Sequence, residues 1–178
     1  PVLLSSGRSA IVSCLRAFNL KRESKVSYSP YANSCIFRTV GEVSSPIPAY
    51  IKDKFDCQLV YHQWGYIQKT NVQSLIIEDS IDSLIINSKG LFPNGGEFEI
   101  MSMSKIFGTP YGAIVFCKDE NYKKNLLNIR NKNRNFSKMQ FLIKFLSKSF
   151  KIAESYWSQM EPLNAWPGNG INKLIYNN

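Results

Sequence analysis

Phe98-Glu99-Ile100-Met101-Ser102-Met103-Ser104-Lys105 is a strand-like run that ends in two hydroxyls and a lysine. Three other runs share its opening character, Cys57 to Tyr61, Ser74 to Ile77 and Ala113 to Cys117, and each ends in polar or glycine-containing residues. Several are apolar throughout and do not alternate. A strand that is apolar on both sides belongs in a sheet covered on both faces, as in α/β proteins. The expectation is a three-layer α/β/α fold around a mostly parallel sheet, with polar side chains delivered at strand ends, where such folds place their sites.

Working outward toward the N-terminus, Val2-Leu3-Leu4 is a short extended piece that enters Ser5-Ser6-Gly7-Arg8-Ser9. Ala10, Ile11, Cys14, Leu15 and Phe18 then recur at helical spacing, which predicts an amphipathic helix after a glycine turn. Val26 to Tyr31 reads as extended. Arg38 to Tyr50 holds Gly41, Pro46 and Pro48 and is expected to be an irregular loop. Toward the C-terminus, Leu142, Phe145, Leu146, Phe150, Ala153, Trp157 and Met160 follow a helix period, with Lys144, Lys148, Lys151 and Glu154 largely opposite. The organisation expected is an α/β core over residues 1–120 and a helical extension over 121–178.

The chain has 178 residues, enough for one substantial core, with 44% apolar and 20% charged residues. Its formal charge of +9 suits a polyanionic partner, including a phosphorylated small molecule. Lys118, Lys123, Lys124, Arg130, Lys132, Arg134 and Lys138 lie close together, and such a run reads first as a solvated helix face. Neither zinc-finger spacing nor an RNP-type aromatic motif accompanies it, so nucleic acid is not the expected partner. Cys14, Cys35, Cys57 and Cys117 lack close pairing and read as free thiols of a cytoplasmic protein. No apolar run approaches the roughly 20 residues of a membrane span.

Four features in order carry chemistry. Ser6-Gly7-Arg8-Ser9-Ala10 opens a helix, where backbone N–H groups and the positive end of the dipole hold a phosphate or, in the plainer reading, donate only to a serine cap. Ile76-Ile77-Glu78-Asp79-Ser80 delivers a carboxylate at a strand end. Such a carboxylate can keep a pyridinium nitrogen protonated, although acidic residues at strand ends are also common structural features. Met101-Ser102-Met103-Ser104-Lys105 supplies an amine that condenses with an aldehyde if it is desolvated near other cations, while Ser102 is placed to reach a phosphate. Gly108-Thr109-Pro110-Tyr111-Gly112 then returns the chain to a strand, as a ligand-hugging loop or a simple turn.

With these residues in this order, the sequence resembles the fold-type I pyridoxal-phosphate enzymes, and within them the DegT/DnrJ-type sugar aminotransferases. Tyr61-His62-Gln63-Trp64-Gly65 also looks like that family's strand ending in His-x-x-Gly. The resemblance covers most of residues 1–120. It implies pyridoxal 5'-phosphate as cofactor, Lys105 as the Schiff-base lysine and catalytic group, and Asp79 as partner of the ring nitrogen. Gly7, Arg8, Ser9 and Ser102 would surround the phosphate, Tyr31 would stack on the ring, and Asp82 would lie near the ring. It further implies an amino-acid donor, a nucleotide-linked keto-sugar acceptor, a role in cell-surface polysaccharide or amino-sugar biosynthesis, and a homodimer.

There are departures. The family's smaller C-terminal domain is expected to be absent or truncated here, as in a fragment or a degenerate relative, and the segment from Tyr31 to Cys57 is shorter than the family's. Position 8 is Arg where the family usually has Thr, and position 82 is Asp where it usually has Gln or His. Lys105 separates the chain from those family dehydratases that replace the lysine by His. Two readings stand beside amino transfer: another reaction on the same cofactor, such as dehydration, aldol cleavage or elimination, and a degenerate relative that serves as a binding or assembly module. His62 reads as a structural group at a strand end.

Overall fold

The computed structural model describes residues 1–63, 65–70, 74–81, 83, 90–109 and 112–132. The expected helix from Met139 to Met160 lies outside these residues. Seven strands form one sheet in the order β1-β7-β6-β5-β4-β2-β3, from β1 (Val2–Leu4), β2 (Lys25–Tyr28), β3 (Ser45–Pro48), β4 (Cys57–Tyr61), β5 (Leu75–Asp79), β6 (Phe98–Ser102) and β7 (Ala113–Cys117). The pairs from β3 through β2, β4 and β5 to β6 are parallel, and β7 runs antiparallel to both β6 and β1. The expected mostly parallel α/β sheet is therefore present.

One face of the sheet is covered by helices: α1 (Gly7–Ala17), α2 (Ser34–Gly41) and α4 (Glu120–Lys132). The helix α1 lies at the centre, in contact with α2, α4, β6 and β7, and its residues Ser9 to Leu15 are all buried. The core on this side draws on Leu4, Ile11, Leu15, Leu59, Ile77, Phe98, Ile100 and Val115. Phe18, Phe98 and Tyr122 form a ring trio with centroids 4.8, 5.2 and 5.4 Å apart, each pair worth about 0.5–1.5 kcal/mol beyond burial. These contacts pin α4 to α1 and β6. Lys124 and Lys132 stay exposed while Leu126 is fully buried, so the basic run is in part the solvated face of an amphipathic helix.

Residues 38–50 are not a loop. They contain the end of α2 and all of β3, so that Ser34 to Pro48 form a helix-strand unit compressed into few residues. Gly41 and the two prolines read as breakers, but β3 is an edge strand that pairs only with β2, and an edge strand tolerates residues that lack an N–H. The shortened segment therefore keeps its strand.

Candidate active site

Three chain turns meet at the ends of β5 and β6. The first is the β1–α1 turn, closed by a capping box in which Ser6 Oγ accepts the Ser9 N–H at 3.2 Å and Ser9 Oγ accepts the Ser6 N–H at 2.9 Å. The second follows β5, where Asp79 Oδ1 accepts the Ile81 N–H at 3.1 Å. The third follows β6, where Ser102 caps the short helix α3 (Met103–Ile106), which carries Lys105.

Two glycines let the turns approach. A Cβ on Gly7 would come within 2.6 Å of Ile81 Cδ1, so the first residue of α1 sits directly against the turn that follows Asp79. Gly112, at φ +107°, donates its N–H to Ser5 O and accepts the Met103 N–H, each at 3.0 Å. It thereby ties the first turn to the third. A side chain there would be strained and would press on Met103.

Between them lies a cavity of about 320 Å³ lined by Ser6, Gly7, Arg8, Asn33, Cys35, Ile36, Ile81, Ser102, Ser104 and Lys105. Four residues singled out in the sequence, Gly7, Arg8, Ser102 and Lys105, thus share one cavity although nearly a hundred positions separate the first from the last. Ser104, Asn33 and Cys35 were not assigned there. Ser104 is recognisable beforehand as the hydroxyl between Ser102 and Lys105, and its Oγ lies 3.0 Å from Ser102 Oγ. Asn33 and Cys35 give no such signal.

The remaining candidates are placed differently. Ser9 is fully buried and turned into the fold, with its Oγ on Ser6 and 2.9 Å from Ser5 Oγ, because the third helical residue of a capping box faces back along the turn. Tyr31 is 85% exposed and outside the lining, while Asn33, two residues on, reaches it. Asp79 is fully buried and outside the lining, two residues before the lining residue Ile81, on the face of the sheet that carries Ile77 and α1. Asp82 lies outside the described residues. Lys105 is exposed at the cavity rim, so the described residues do not supply the desolvation that the sequence reading asks of it.

The opposite face of the sheet is also buried but is built differently. His62, Glu78, Ser80 and Glu99 are each at most 1% exposed, beneath the irregular segments at 65–70 and 90–97. His62 Nε2 lies 2.9 Å from Glu78 Oε2, and Glu78 also accepts the Gly96 N–H at 2.9 Å and the Asn94 N–H at 3.1 Å. Glu99 accepts the Phe92 N–H at 2.6 Å and the Ser80 hydroxyl at 3.0 Å. Burial pushes the Glu78 carboxyl up, but the hydrogen bonds from His62, Gly96 and Asn94 prevail and hold it below the ordinary range. At Glu99 burial wins over its two donors and the carboxyl is raised.

The cysteines are free. Burial raises the Cys14 and Cys57 thiols well above the usual range, and burial raises Cys117 to about 11. These three remain thiols at neutral pH. Among the described residues, no group of three or more His, Cys, Asp or Glu could hold a metal, and no helix is long and apolar enough to cross a membrane.

The donor set of the cavity suits a phosphorylated aldehyde cofactor. Arg8, Ser102, Ser104 and the first turn of an eleven-residue helix supply cationic and N–H or O–H groups for a phosphate. Lys105 supplies a primary amine, and Ile36 and Ile81 supply apolar surface for a ring.

A family described as "Putative PLP-dependent aminotransferase" matches residues 1–173. Among solved structures, the chain is similar to the aminotransferase from Psychrobacter cryohalolentis, with TM-score 0.63, 15% identity and 75% of this chain aligned to 41% of that one. It is also similar to S. venezuelae DesV, with TM-score 0.60 and 16% identity over 73% of this chain and 43% of that one. A DegT DnrJ EryC1 StrS aminotransferase from Brucella abortus gives TM-score 0.59 and 14% identity over 75% of this chain and 46% of that one. The chain thus spans less than half the length of each of these structures. No curated protein matches the sequence at a significant level.

Proposed function

We infer function from one premise: the chain belongs to the family of PLP-dependent aminotransferases matched over residues 1–173. On that basis, we propose that the cavity at the ends of β5 and β6 binds pyridoxal 5'-phosphate and that the protein transfers an amino group from an amino acid to a keto-sugar carried on a nucleotide. The observation that carries the reading is the gathering of Gly7, Arg8, Ser102 and Lys105 around one cavity from two turns far apart in the chain, with Ile81 of a third turn beside them.

In this reading, Arg8, Ser102, Ser104 and the first turn of α1 hold the phosphate through charge and hydrogen bonds. Lys105 would be the anchoring amine and would also serve as the base that moves a proton at the donor carbon. Asp79 holds the ring nitrogen and keeps it protonated. The cofactor, when bound, would supply an electron sink. The flexible stem of a lysine suits both of its roles, which favours amino transfer over the dehydration performed by family members with His at this position.

Lys105 needs to be shielded from water before its amine is an efficient nucleophile. A second copy packed over the rim would provide that cover, so we place the active unit in a homodimer. The charge of +9 supports a nucleotide diphosphate as the handle of the acceptor. Cytoplasmic sugar-nucleotide metabolism, feeding surface polysaccharide or amino-sugar synthesis, is the corresponding setting.

The test is the absorbance spectrum of the protein titrated with pyridoxal phosphate, wild type against Lys105→Ala. A visible band in the wild type alone, bleached by glutamate, is the expected result. A band of equal strength in both proteins, or no band in a folded wild type, overturns the assignment.

A further inference from the structure

We propose that His62 and Glu78 act as a positioning pair for Asp79, a neutral imidazole donating to a buried carboxylate anion that together fix the end of β5 from the face opposite the cavity. The proposal deepens the reading above and rests on Asp79 facing the cofactor.

His62 stands one residue beyond Tyr61↔Asp79, the last registered pair of β4 and β5. All four of its polar groups are used. Its N–H donates to Asp79 O at 2.9 Å, and its carbonyl accepts the Ser83 hydroxyl at 2.9 Å. Its Nδ1 accepts the Gln68 N–H at 3.2 Å, and its Nε2 lies 2.9 Å from Glu78 Oε2. A backbone amide only donates, so Nδ1 carries a lone pair and the ring proton sits on Nε2. Nε2–H therefore donates to Glu78.

Glu78 is surrounded by donors. Besides Nε2–H it accepts the Asn94 N–H at 3.1 Å on both oxygens, Asn94 Nδ2–H at 3.1 Å and the Gly96 N–H at 2.9 Å. A carboxylate with this environment is ionised. The pair is thus one buried negative charge with a neutral histidine, and not an ion pair.

The consequence reaches Asp79. Its carbonyl is held by His62, the side chain before it is held by His62 and the 94–96 segment, and Ser83 after it is held by His62 again. On the other face its own carboxylate accepts the Ile81 N–H. Displacing the end of β5 breaks several buried bonds together. The fixed anion at Glu78 also favours the protonated form of any ring nitrogen that Asp79 holds.

Two measurements on the full chain test this. Long-range ¹H–¹⁵N NMR of the single histidine is expected to place the proton on Nε2 at neutral pH. An Nδ1–H tautomer or a doubly protonated ring overturns the pair as described. The second measurement is pyridoxal-phosphate affinity, by equilibrium dialysis and ring absorbance, for variants whose far-UV spectra remain native.

Removing the charge with Glu78→Gln, or the donor with His62→Ala, is expected to weaken binding about tenfold, the scale of one lost charge-assisted hydrogen bond. His62→Gln, which returns a donor in place of Nε2, is expected to restore binding. In an Asp79→Asn background, Glu78→Gln is expected to add less than about threefold, because coupled residues are non-additive. Full additivity overturns the proposal, as does unchanged binding in Glu78→Gln when Asp79→Asn binds weakly. If wild type takes up no cofactor, the functional reading fails and the positioning role fails with it, while the NMR result still reports on the pair itself.

Discussion

The two faces of the sheet are equally dry and held by different physics. On the helix face, Ile77, Phe98 and Ile100 meet Ile11, Leu15 and other apolar side chains, and shape complementarity does the stabilising. On the loop face, Glu78 and Glu99, with His62 and Ser80 bonded to them, meet backbone N–H groups of a segment without helix or strand. That segment has no helical ladder to satisfy its amides, so Phe92, Asn94 and Gly96 turn to buried carboxylates. Where helices cover a sheet, the strand beneath needs volume. Where an irregular segment covers it, the strand needs acceptors.

The comparison predicts distinct responses to substitution. Phe98→Ala, which empties the ring trio, should cost about 4 kcal/mol in urea unfolding with little dependence on pH. A cost below that of an exposed substitution would mean that the trio does not support the helix face. Glu78→Ala should cost about 3 kcal/mol, because four donors lose a buried charged acceptor, and the same measurement checks it. Were Glu78→Ala neutral, the loop face would be wetter than its burial indicates.

The carboxylates should also give the loop face opposite pH trends. The carboxyl of Glu78 is lowered on folding, so its contribution is present above the ordinary value of 4.5 and is lost as pH falls through the lowered value. The carboxyl of Glu99 is raised, so its contribution is present below 4.5 and is lost as pH rises through the raised value. Urea midpoints against pH should therefore show Glu78→Gln flattening the acid limb and Glu99→Gln flattening the limb just above 4.5. Identical profiles for wild type and both variants would contradict this.

The smallest effect is expected on the helix face. Ser13 in α1 is fully buried, and its hydroxyl lacks a hydrogen-bond partner among the described residues. Ser13→Ala should raise stability by about 0.5–1 kcal/mol, seen as a higher midpoint in thermal unfolding. A lower midpoint would indicate that the hydroxyl has a partner.

The central strands were legible because Cys57 to Tyr61 is mostly apolar and Ala113 to Cys117 wholly so, each with clear polar ends, and α1 because Ala10, Ile11, Cys14, Leu15 and Phe18 keep its period. The α2–β3 unit was not, since Pro46 and Pro48 are tolerated only because β3 lies at the sheet edge, and edge position is a property of the assembled sheet. Within the site, Gly7, Arg8, Ser102 and Lys105 could be proposed from local order. The burial of Ser9 and the exposure of Tyr31 could not, because both depend on how a turn packs.

By itself, the sequence determined which segments become buried strands, that a glycine turn opens a helix, and that hydroxyls and a lysine follow a strand end. These are local properties, set by residue type and spacing along a few positions. Only the tertiary structure decided that Gly7 rests on Ile81, that Gly112 joins the turns before α1 and after β6, and that His62 meets Glu78 across neighbouring strands. The reason is physical: the His62–Glu78 contact is set by the parallel register of β4 and β5, and the Gly112 contacts by the antiparallel register of β7 with β1 and β6, and these registers emerge only when the whole sheet assembles.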